Sequence, residues 1–328
     1  MDVGVIGTGT MGRNHVRVYS EMRGADQVYI YDADEKAARA LGERFDVTVC
    51  DSLQSLLNNV NAVSICAPTM YHFGIAKEAI ESGVNCLIEK PIAMNPKEGE
   101  ELLKVVDENL VVGVGHIERF NPIVKEIKNL ITNPRNIDII RHNPGSSRIK
   151  DANVVIDLMI HDIDLIWNCF FEDYQDYELY SAGNKDLFKK VAKFNGCLAS
   201  LSASRISCRK IRTIHVEEDE FTIDGDFMAQ ELYIHSKPER YGEINTRYAQ
   251  ENIIEKVLIN RVEPLKEELR TFLDCVAKGN KFPVTPEQAV LNLKIAENRG
   301  LSFYSGGLIL ANDHISGMPH SDSNLIKA

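Results

Sequence analysis

The chain has 328 residues, more than one hydrophobic core usually holds, so we expect two domains. Its 37 basic and 48 acidic residues give a formal net charge of −11, which argues against nonspecific binding to nucleic acid or to an anionic membrane. No apolar run approaches the roughly 18 residues that span a bilayer, and no signal-peptide pattern precedes the first predicted strand. We therefore expect a cytoplasmic protein whose partners are neither nucleic acid nor membrane.

The first predicted element is a short apolar strand at residues 3–6, which is followed by a GxGxxG turn and a helix. Gly7 permits the sharp turn, Gly9 lets the backbone approach a pyrophosphate closely, and Gly12 lets the helix pack on the strand. The helix then turns its N–H groups and the positive end of its dipole towards the phosphates. The pattern predicts a dinucleotide-binding turn made of Gly7, Thr8, Gly9, Thr10, Met11 and Gly12.

A second predicted strand at residues 28–31 ends at Asp32, twenty positions beyond Gly12. A carboxylate at this point accepts hydrogen bonds from the adenosine ribose hydroxyls and repels a 2′-phosphate. No Lys or Arg follows before Lys36, so we expect NAD as the cofactor, with NADP the less favoured alternative. In the other interpretation, Asp32 only caps the helix that begins near Glu35.

Strands and helices alternate from residue 2 to about residue 118, which is typical of a parallel sheet with helices on both faces. Further strands are predicted at residues 62–67 and 85–89. The first of these stops at Pro68, because proline cannot donate a hydrogen bond to a strand ladder. We expect an α/β Rossmann domain, a doubly wound parallel sheet, at residues 1–119.

The second half of the chain, residues 120–328, is predicted to be an α+β domain with an open, largely antiparallel sheet. A long apolar helix at about 154–171 precedes a series of alternating strands. Two turn signals lie between strands, Asn195-Gly196 and Asp224-Gly225. Residues from about 300 to the last one give no consistent pattern.

Glu89-Lys90-Pro91 lies at the carboxyl end of the strand at 85–89, the edge at which open α/β sheets bind ligands. Lys90 would then point towards the nicotinamide end of the cofactor. A lysine there donates a hydrogen bond or shifts the pKa of a neighbouring base by its charge. The alternative is a solvated surface lysine that pairs with Glu89.

Within the apolar helix, Asp157, His161 and Asp164 are spaced by four and three residues and so share one helical face. Three interpretations fit this polar stripe. His161 is a general base, since imidazole titrates near working pH; or Asp157 and His161 bind a metal; or a buried histidine is satisfied by its own carboxylates. Metal binding is the weakest, because the chain offers no Cys/His cluster at ligand spacing, and we expect no metal.

Several short motifs follow one another along the chain: Gly7–Gly12, Ala67-Pro68-Thr69, Tyr71-His72, Glu89-Lys90-Pro91, Arg119-Phe120-Asn121-Pro122 and Asp157 with His161. In this order they resemble the Gfo/Idh/MocA oxidoreductases, which include glucose–fructose oxidoreductase and inositol dehydrogenase. The resemblance covers nearly the whole chain. It implies a Rossmann domain followed by a sheet domain whose open face packs against another subunit, in a homodimer or homotetramer.

The resemblance also implies roles. His161 would take the hydroxyl proton as a hydride passes from a sugar carbon to nicotinamide, Lys90 would bond the reacting or an adjacent oxygen, and Asp157 would orient substrate and histidine. This chemistry is coherent because alkoxide character develops as the hydride leaves, and a base and a cation stabilise it. Further residues expected at the cofactor are Ala67, Pro68, Thr69, His72, Glu89 and Lys90. Those expected at the substrate are Lys90, Arg119, Asn121, Arg148, Asp157 and His161.

The chain departs from the family where many members carry a Gly-Gly pair before the catalytic helix. It reads Asp151-Ala152-Asn153-Val154 there, preceded by Arg141 and Arg148. Two arginines on a loop near the substrate suit a diphosphate or a carboxylate. The alternative is that both are surface residues in ordinary ion pairs. The chain is similar to the branch that acts on UDP-N-acetylhexosamines, so we expect oxidation of the 3-hydroxyl of UDP-N-acetylglucosamine.

Two other functions stay open at this point. One is an inositol or free-sugar dehydrogenase with the same fold and the same reaction. The other, from a different class, is a sensor protein that binds NAD without turnover. A pure binding module has no chemical need for Lys90, Asp157 and His161 together, so their joint presence favours an enzyme.

Overall fold

The computed structural model describes residues 1–145, 153–172, 176–238, 241–244, 247–250, 252–298, 301–304 and 307–310. These residues form a parallel six-stranded sheet and a largely antiparallel eight-stranded sheet, with helices packed on both. The arrangement confirms the predicted fold class. None of the helices within these ranges is long and apolar enough to cross a membrane.

The first sheet and its helices occupy the N-terminal part of the chain. The strands are β1 (Val3–Ile6), β2 (Val28–Tyr31), β3 (Thr48–Val49), β4 (Ala62–Ile65), β5 (Asn85–Glu89) and β6 (Val112–Gly115). The helices are α1 (Thr10–Ser20), α2 (Glu35–Phe45), α3 (Leu53–Leu57), α4 (His72–Glu81) and α5 (Pro96–Leu103). The strand order is β3-β2-β1-β4-β5-β6, with all neighbours parallel. The order reverses between β1 and β4, which is where doubly wound sheets bind ligands.

Local sequence determines where the helices of this region begin. The Asp34 side chain accepts hydrogen bonds from the first turn of α2, and the Asn95 side chain does the same for α5. Pro96 occupies the first position of α5, where its missing N–H costs nothing. Both faces of the sheet are covered, so its strands are largely apolar, and every residue of β1 and β4 is buried.

The second sheet is built from later strands in the order β16-β13-β12-β11-β7-β10-β9-β8. They are β7 (Asn136–Pro144), β8 (Glu178–Gly183), β9 (Leu187–Phe194), β10 (Cys197–Ser204), β11 (Ile206–Glu217), β12 (Phe221–Asp226), β13 (Glu231–Ser236) and β16 (Ile253–Val257). Only the pair β7 and β10 is parallel. Two further strand pairs are β14 (Tyr241–Ile244) with β15 (Arg247–Gln250), and β17 (Leu301–Tyr304) with β18 (Gly307–Leu310).

One of the two predicted turns is confirmed and the other is wrong. Asn195-Gly196 joins β9 to β10, and Gly196 has a φ of +84°, which the tight turn requires. Asp224-Gly225, in contrast, lies inside β12. A Cβ on Gly225 would come within 2.8 Å of Ile214 on the next strand. The glycine therefore serves close packing between strands. The turn comes after Asp226, whose side chain accepts hydrogen bonds from Met228 N and Ala229 N.

The predicted apolar helix at 154–171 is one continuous helical path with three segments. A π-helical turn covers Val155–Met159, the α-helix α7 covers Ile160–Leu165, and a second π-helical turn covers Ile166–Phe170. π-turns inside helices occur frequently at functional sites. This path lies between the two hydrophobic cores, since Ile160 belongs to the core of the first sheet and Ile163 to that of the second.

Three more helices complete the described part of the chain: α6 (Pro122–Leu130), α8 (Pro264–Lys278) and α9 (Pro286–Glu297). The buried apolar side chains of α8, together with Ala289, Val290 and Leu293 of α9, join the core of the first sheet, although they follow the second sheet in sequence. Ile295 and Ala296 of α9 join the core of the second sheet. The C-terminal helices thus pack on the sheet that the N-terminal part of the chain forms. A division at residue 119 stays a prediction.

Candidate active site

The glycine-rich turn has the geometry of a close backbone approach. Gly7 has a φ of +93°, and a Cβ there would lie 2.6 Å from Ala67 N. A Cβ on Gly12 would lie 1.8 Å from Gly7 O, so both positions require glycine for packing. At Gly9, no atom of the described residues lies within 4 Å of such a Cβ. The space beside Gly9, at the N-terminus of α1, is therefore open to a ligand.

Asp32 follows β2 and is hydrogen-bonded to this turn. Its Oδ2 accepts bonds from Thr8 N at 2.6 Å and Thr8 Oγ1 at 2.8 Å, and its Oδ1 accepts one from Asp34 N at 2.9 Å. Partial burial opposes ionisation, but these bonds lower the pKa of Asp32. The cap of α2 is Asp34, so the interpretation of Asp32 as a helix cap is wrong.

His72 and Glu89 have partners inside the protein instead of facing an open site. The two ring nitrogens of His72 lie 2.8 Å from the carbonyl oxygens of Ala67 and Pro91. His72 thus ties the segment after β4 to the segment after β5. Glu89 is buried, with Oε1 2.9 Å from His15 Nε2 and Oε2 3.2 Å from Lys90 N. Both residues therefore position the ends of strands. Direct contacts of His72 and Glu89 with the cofactor stay a prediction.

Lys90 reaches from the end of β5 to the helix that carries His161. Its Nζ donates a hydrogen bond to the backbone oxygen of Asp157 at 2.8 Å. Lys90 is only partly exposed, and burial lowers the pKa of its ammonium, although the charges of Asp157 and Glu89 oppose this. Asp157 and His161 lie on consecutive segments of one helical path, so this contact brings Lys90, Asp157 and His161 together. The charge of Lys90 also lowers the pKa of His161. A solvated lysine paired with Glu89 does not describe this geometry.

His161 is the most strongly perturbed base of this group. Burial, followed by the positive charges of Lys90 and Arg141, holds the pKa of His161 well below its usual value. Its Nδ1 is buried without a hydrogen-bond partner among the described residues. The imidazole is therefore neutral near pH 7, with one unprotonated ring nitrogen that can act as an acceptor.

His116 is a neighbour that the sequence argument missed. Its ring centroid lies 6.0 Å from that of His161, with the rings nearly perpendicular, and Asn292 Nδ2 lies 3.2 Å from its Nε2. The signal was present, because His116 directly follows β6 at the same carboxyl edge as Lys90. Burial lowers the pKa of His116.

Asp164 does not share the surroundings of Asp157, contrary to the single polar face predicted for the helix. Its carboxylate accepts two bonds from Arg119, at 2.6 and 2.9 Å, and further bonds from Asn168 and Asn292. Seven residues of helix span about 10 Å, so the two ends of the stripe meet different neighbours. Arg119 also donates to Gln288 of α9 at 3.1 Å, so it fastens this helix to α9. This is a structural role, in place of the predicted substrate contact.

The other predicted substrate residues also have internal partners or lie outside the described residues. Asn121 is buried, caps α6, and donates to Phe227 O at 2.9 Å. Arg141 is 1% exposed within β7, not on a loop, and donates to both Asp162 and Glu118. The prediction for Arg141 failed because β7 runs on to Pro144. Arg148 lies outside the described residues.

A buried group of possible metal ligands lies beneath this site. His15, Glu89 and Glu268 each offer a ligand atom within 4.8 Å of the others, and all three are buried. Neither oxygen of Glu268 has a hydrogen-bond partner among the described residues. Burial and the charge of Glu89 raise the pKa of Glu268 well above its usual value, so a bound proton accounts for its neutrality.

Comparison with known proteins agrees with this arrangement. The profile of the Gfo/Idh/MocA oxidoreductase family, with its NAD-binding Rossmann fold, matches residues 1–116. UDP-N-acetylglucosamine 3-dehydrogenase from Acidithiobacillus ferrooxidans is 30% identical over 246 residues, which cover 72% of this chain and 77% of that protein. Its solved structure gives a TM-score of 0.80 over 92% of this chain and 96% of that one, at 27% identity.

An inositol 2-dehydrogenase from Acidothermus cellulolyticus is 30% identical over 181 residues, about half of each chain. The identity with the Acidithiobacillus enzyme extends well beyond the Rossmann domain, and the dinucleotide turn, the Lys90 strand end and the His161 helix occur here in one structure. The chain therefore belongs to the Gfo/Idh/MocA family of NAD-binding oxidoreductases.

Proposed function

We propose that this protein is an NAD-dependent dehydrogenase that oxidises the 3-hydroxyl of UDP-N-acetylglucosamine. The observation that carries the proposal is the contact between Lys90 Nζ and the backbone of Asp157, which sets a cation from the first sheet beside the neutral His161. The substrate is chosen because of the similarity to the Acidithiobacillus enzyme over most of both chains.

The residues of the first sheet fit a dinucleotide. The open space at Gly9 admits a pyrophosphate, which would take hydrogen bonds from the free N–H groups at the start of α1. The ionised carboxylate of Asp32 would accept bonds from ribose hydroxyls, and it favours NAD over NADP. Ala67, Pro68 and Thr69 would border the cofactor where β4 ends. When bound, nicotinamide supplies an acceptor for a hydride.

The side chains of the second half then handle the proton. His161 accepts the hydroxyl proton as the hydride leaves the sugar, and because burial favours the neutral imidazole, it then releases that proton to water. The Lys90 ammonium has three N–H donors and uses one on Asp157 O, so the others are available to the substrate oxygen as it gains negative charge. The Asp157 carboxylate orients the sugar. A positioned base contributes about 10²–10⁴-fold to such a step.

The test is an assay of NAD and NADP reduction against UDP-N-acetylglucosamine, N-acetylglucosamine, glucose and myo-inositol. We expect the highest kcat/KM with UDP-N-acetylglucosamine and NAD. The related inositol 2-dehydrogenase makes the polyol the second candidate, and a preference for myo-inositol would replace our substrate assignment. Reduction of neither cofactor with any substrate, while NAD still binds, would leave only a cofactor-binding role.

A further inference from the structure

A second group of cationic side chains lies on β11, next to the residues proposed for catalysis. Arg212 pairs directly with Arg141 across β11 and β7, so the two guanidinium groups occupy the same face of the sheet. This face covers the helix of His161, since Arg141 binds Asp162 of α7. The positive charge of Arg212 lowers the pKa of Lys90 and the pKa of His161. Arg212 is therefore a neighbour of the proposed site.

Arg212 is bonded less completely than Arg141. Arg141 donates to two carboxylates and is 1% exposed, whereas the side chain of Arg212 is 27% exposed and has a weaker contact, 3.3 Å, to Glu118. The Arg212 Nε is buried without a hydrogen-bond partner among the described residues. Arg212 therefore keeps donors for a further acceptor, which Arg141 does not.

The side chains around Arg212 form a cluster of charged groups. Four cationic groups, Lys90, Arg141, Lys210 and Arg212, lie near four carboxylates, those of Glu89, Glu118, Asp157 and Asp162. Arg141 takes the short contacts to Asp162 and Glu118, and Arg205 lies 3.1 Å from Asp186 and 3.9 Å from Asp157. The carboxylates of the cluster are therefore engaged mainly by cations other than Arg212 and Lys210.

The second cation is Lys210, two residues before Arg212 on β11. Residues two positions apart on a strand lie on the same side of it, so Lys210 and Arg212 are neighbours, and Lys210 is exposed. The charge of Arg212 lowers the pKa of Lys210. An arginine fork beside a mobile ammonium is a frequent arrangement for phosphate, because the first gives paired hydrogen bonds and the second a point charge.

We propose that Arg212 and Lys210 bind a phosphoryl group of the substrate, so that the enzyme selects sugars carrying a phosphate ester or a nucleotide diphosphate. The inference rests on the proposed sugar dehydrogenase function and specifies its substrate class. It replaces Arg141 in the diphosphate site suggested by the sequence, whereas Arg148 lies outside the described residues and stays a prediction. A phosphoryl group there would pair with both cations next to Lys90 and His161.

The experiment compares the full-length protein with its Arg212→Met and Lys210→Met variants, and with Arg209→Met as the control. Arg209→Met removes one positive charge from an exposed position of the same strand. The kcat/KM is measured for UDP-N-acetylglucosamine, N-acetylglucosamine 1-phosphate and N-acetylglucosamine. Binding of UDP and of inorganic pyrophosphate is measured separately by calorimetry.

We expect the preference for the phosphorylated substrates over N-acetylglucosamine to fall at least about tenfold in the Arg212 and Lys210 variants, mainly through KM. The Arg209 variant should keep that preference. If N-acetylglucosamine 1-phosphate retains most of the preference in the parent protein, the group recognised is a phosphate ester; if only the UDP-sugar has it, the group is the diphosphate. Either result supports the site.

An unchanged preference in both variants, together with unchanged UDP and pyrophosphate binding, would overturn the site. Lys210 is exposed, so Lys210→Met decides the matter even if loss of Arg212 impairs folding. Failure of the proposed function has a different signature. In that case no sugar is oxidised by the parent protein, while Lys210→Met still weakens UDP binding.

Discussion

Asp32 shows how one carboxylate can be tied to a turn and still be available to a ligand. Three hydrogen bonds from Thr8 and Asp34 hold it ionised at the end of β2. The sequence order of strand, turn, helix, strand and acid was enough to predict its location. It did not distinguish Asp32 from Asp34 as the helix cap, because both precede the helix and only the direction of each side chain decides.

We predict that Asp32→Asn lowers the ratio of kcat/KM for NAD over NADP at least about tenfold, because the repulsion of a 2′-phosphate is lost. Steady-state kinetics with both cofactors measures this ratio. Asp34→Asn is the matched control, since it removes a neighbouring carboxylate whose task is to cap α2. An equal change of this ratio in both variants would show that Asp32 does not select the cofactor at its ribose.

The Glu268 carboxyl gives stability a pH dependence with a definite sign. It is protonated in the folded protein because it is buried beside Glu89, and its pKa is raised well above the usual value. In the unfolded chain it ionises near an ordinary glutamate pKa of about 4.3. The free energy of unfolding therefore falls as pH rises from that value towards the raised one.

Glu268→Gln keeps the shape and removes this ionisation. We predict similar free energies of unfolding for parent and variant near pH 4 and a variant that is more stable at pH 8, since each unit by which the pKa is raised corresponds to about 1.4 kcal/mol. Urea denaturation at the two pH values measures the difference. A variant less stable at pH 8 would mean that Glu268 is ionised, as it would be if it shared a cation with His15 and Glu89.

Among the elements, the helical path from Val155 to Phe170 carries most of the proposed chemistry. Its position could be predicted from the apolar run. Its π-turns and the separate surroundings of Asp157 and Asp164 could not, because both depend on side chains distant in sequence. Arg119 and Asn292, which hold Asp164, lie 45 residues before it and 128 residues after it in the sequence.

We predict that Asp164→Asn lowers the free energy of unfolding by about 3–5 kcal/mol, because the buried Arg119 guanidinium loses its anionic partner. Urea denaturation measures this loss. Asp219→Asn is the control, since it breaks the exposed bidentate pair with Arg135 and should have no measurable effect. Equal small effects in both variants would mean that the Arg119 pair does not fasten the helix.

In the molecule as a whole, the proposed site depends on contacts between the two sheets and their helices. Lys90 at the end of β5 contacts Asp157 on a helix that packs largely in the second core. The alternation of strands and helices predicted the first sheet, and the hairpin signals predicted the antiparallel character of the second. The return of α8 and α9 to the first core was not predicted, because an amphipathic helix indicates only that one face is buried and not which core covers it. Likewise, Arg212 was missed because its role depends on pairing with β7.

The open face of the second sheet bears on assembly. Ile140, Leu198 and Ile254 lie on it with exposures of 36, 48 and 56%. Exposed apolar groups on one sheet face favour a protein interface, and we propose a homodimer or homotetramer through this face.

We predict that Ile140→Asp with Leu198→Asp shifts the protein to a monomer in sedimentation velocity, because two charges would be buried in the interface. Met70→Asp changes an exposed apolar residue in the short helical turn between β4 and α4, away from the second sheet; it is the control and should leave the assembly unchanged. A parent protein that sediments as a monomer would rule out this interface.

The proposed function requires that Lys90 and His161 act together on one hydroxyl group of a sugar next to the nicotinamide. The most direct measurement is single-turnover formation of NADH after mixing NAD-loaded protein with UDP-N-acetylglucosamine, for Lys90→Met, His161→Asn and the double variant, with the exposed His215→Asn as control. We predict that each single variant slows the step at least about 100-fold with unchanged NAD affinity, that the double variant is little slower than the worse single one, and that His215→Asn is unaffected. Rapid NADH formation by His161→Asn, or multiplied losses in the double variant, would contradict the account.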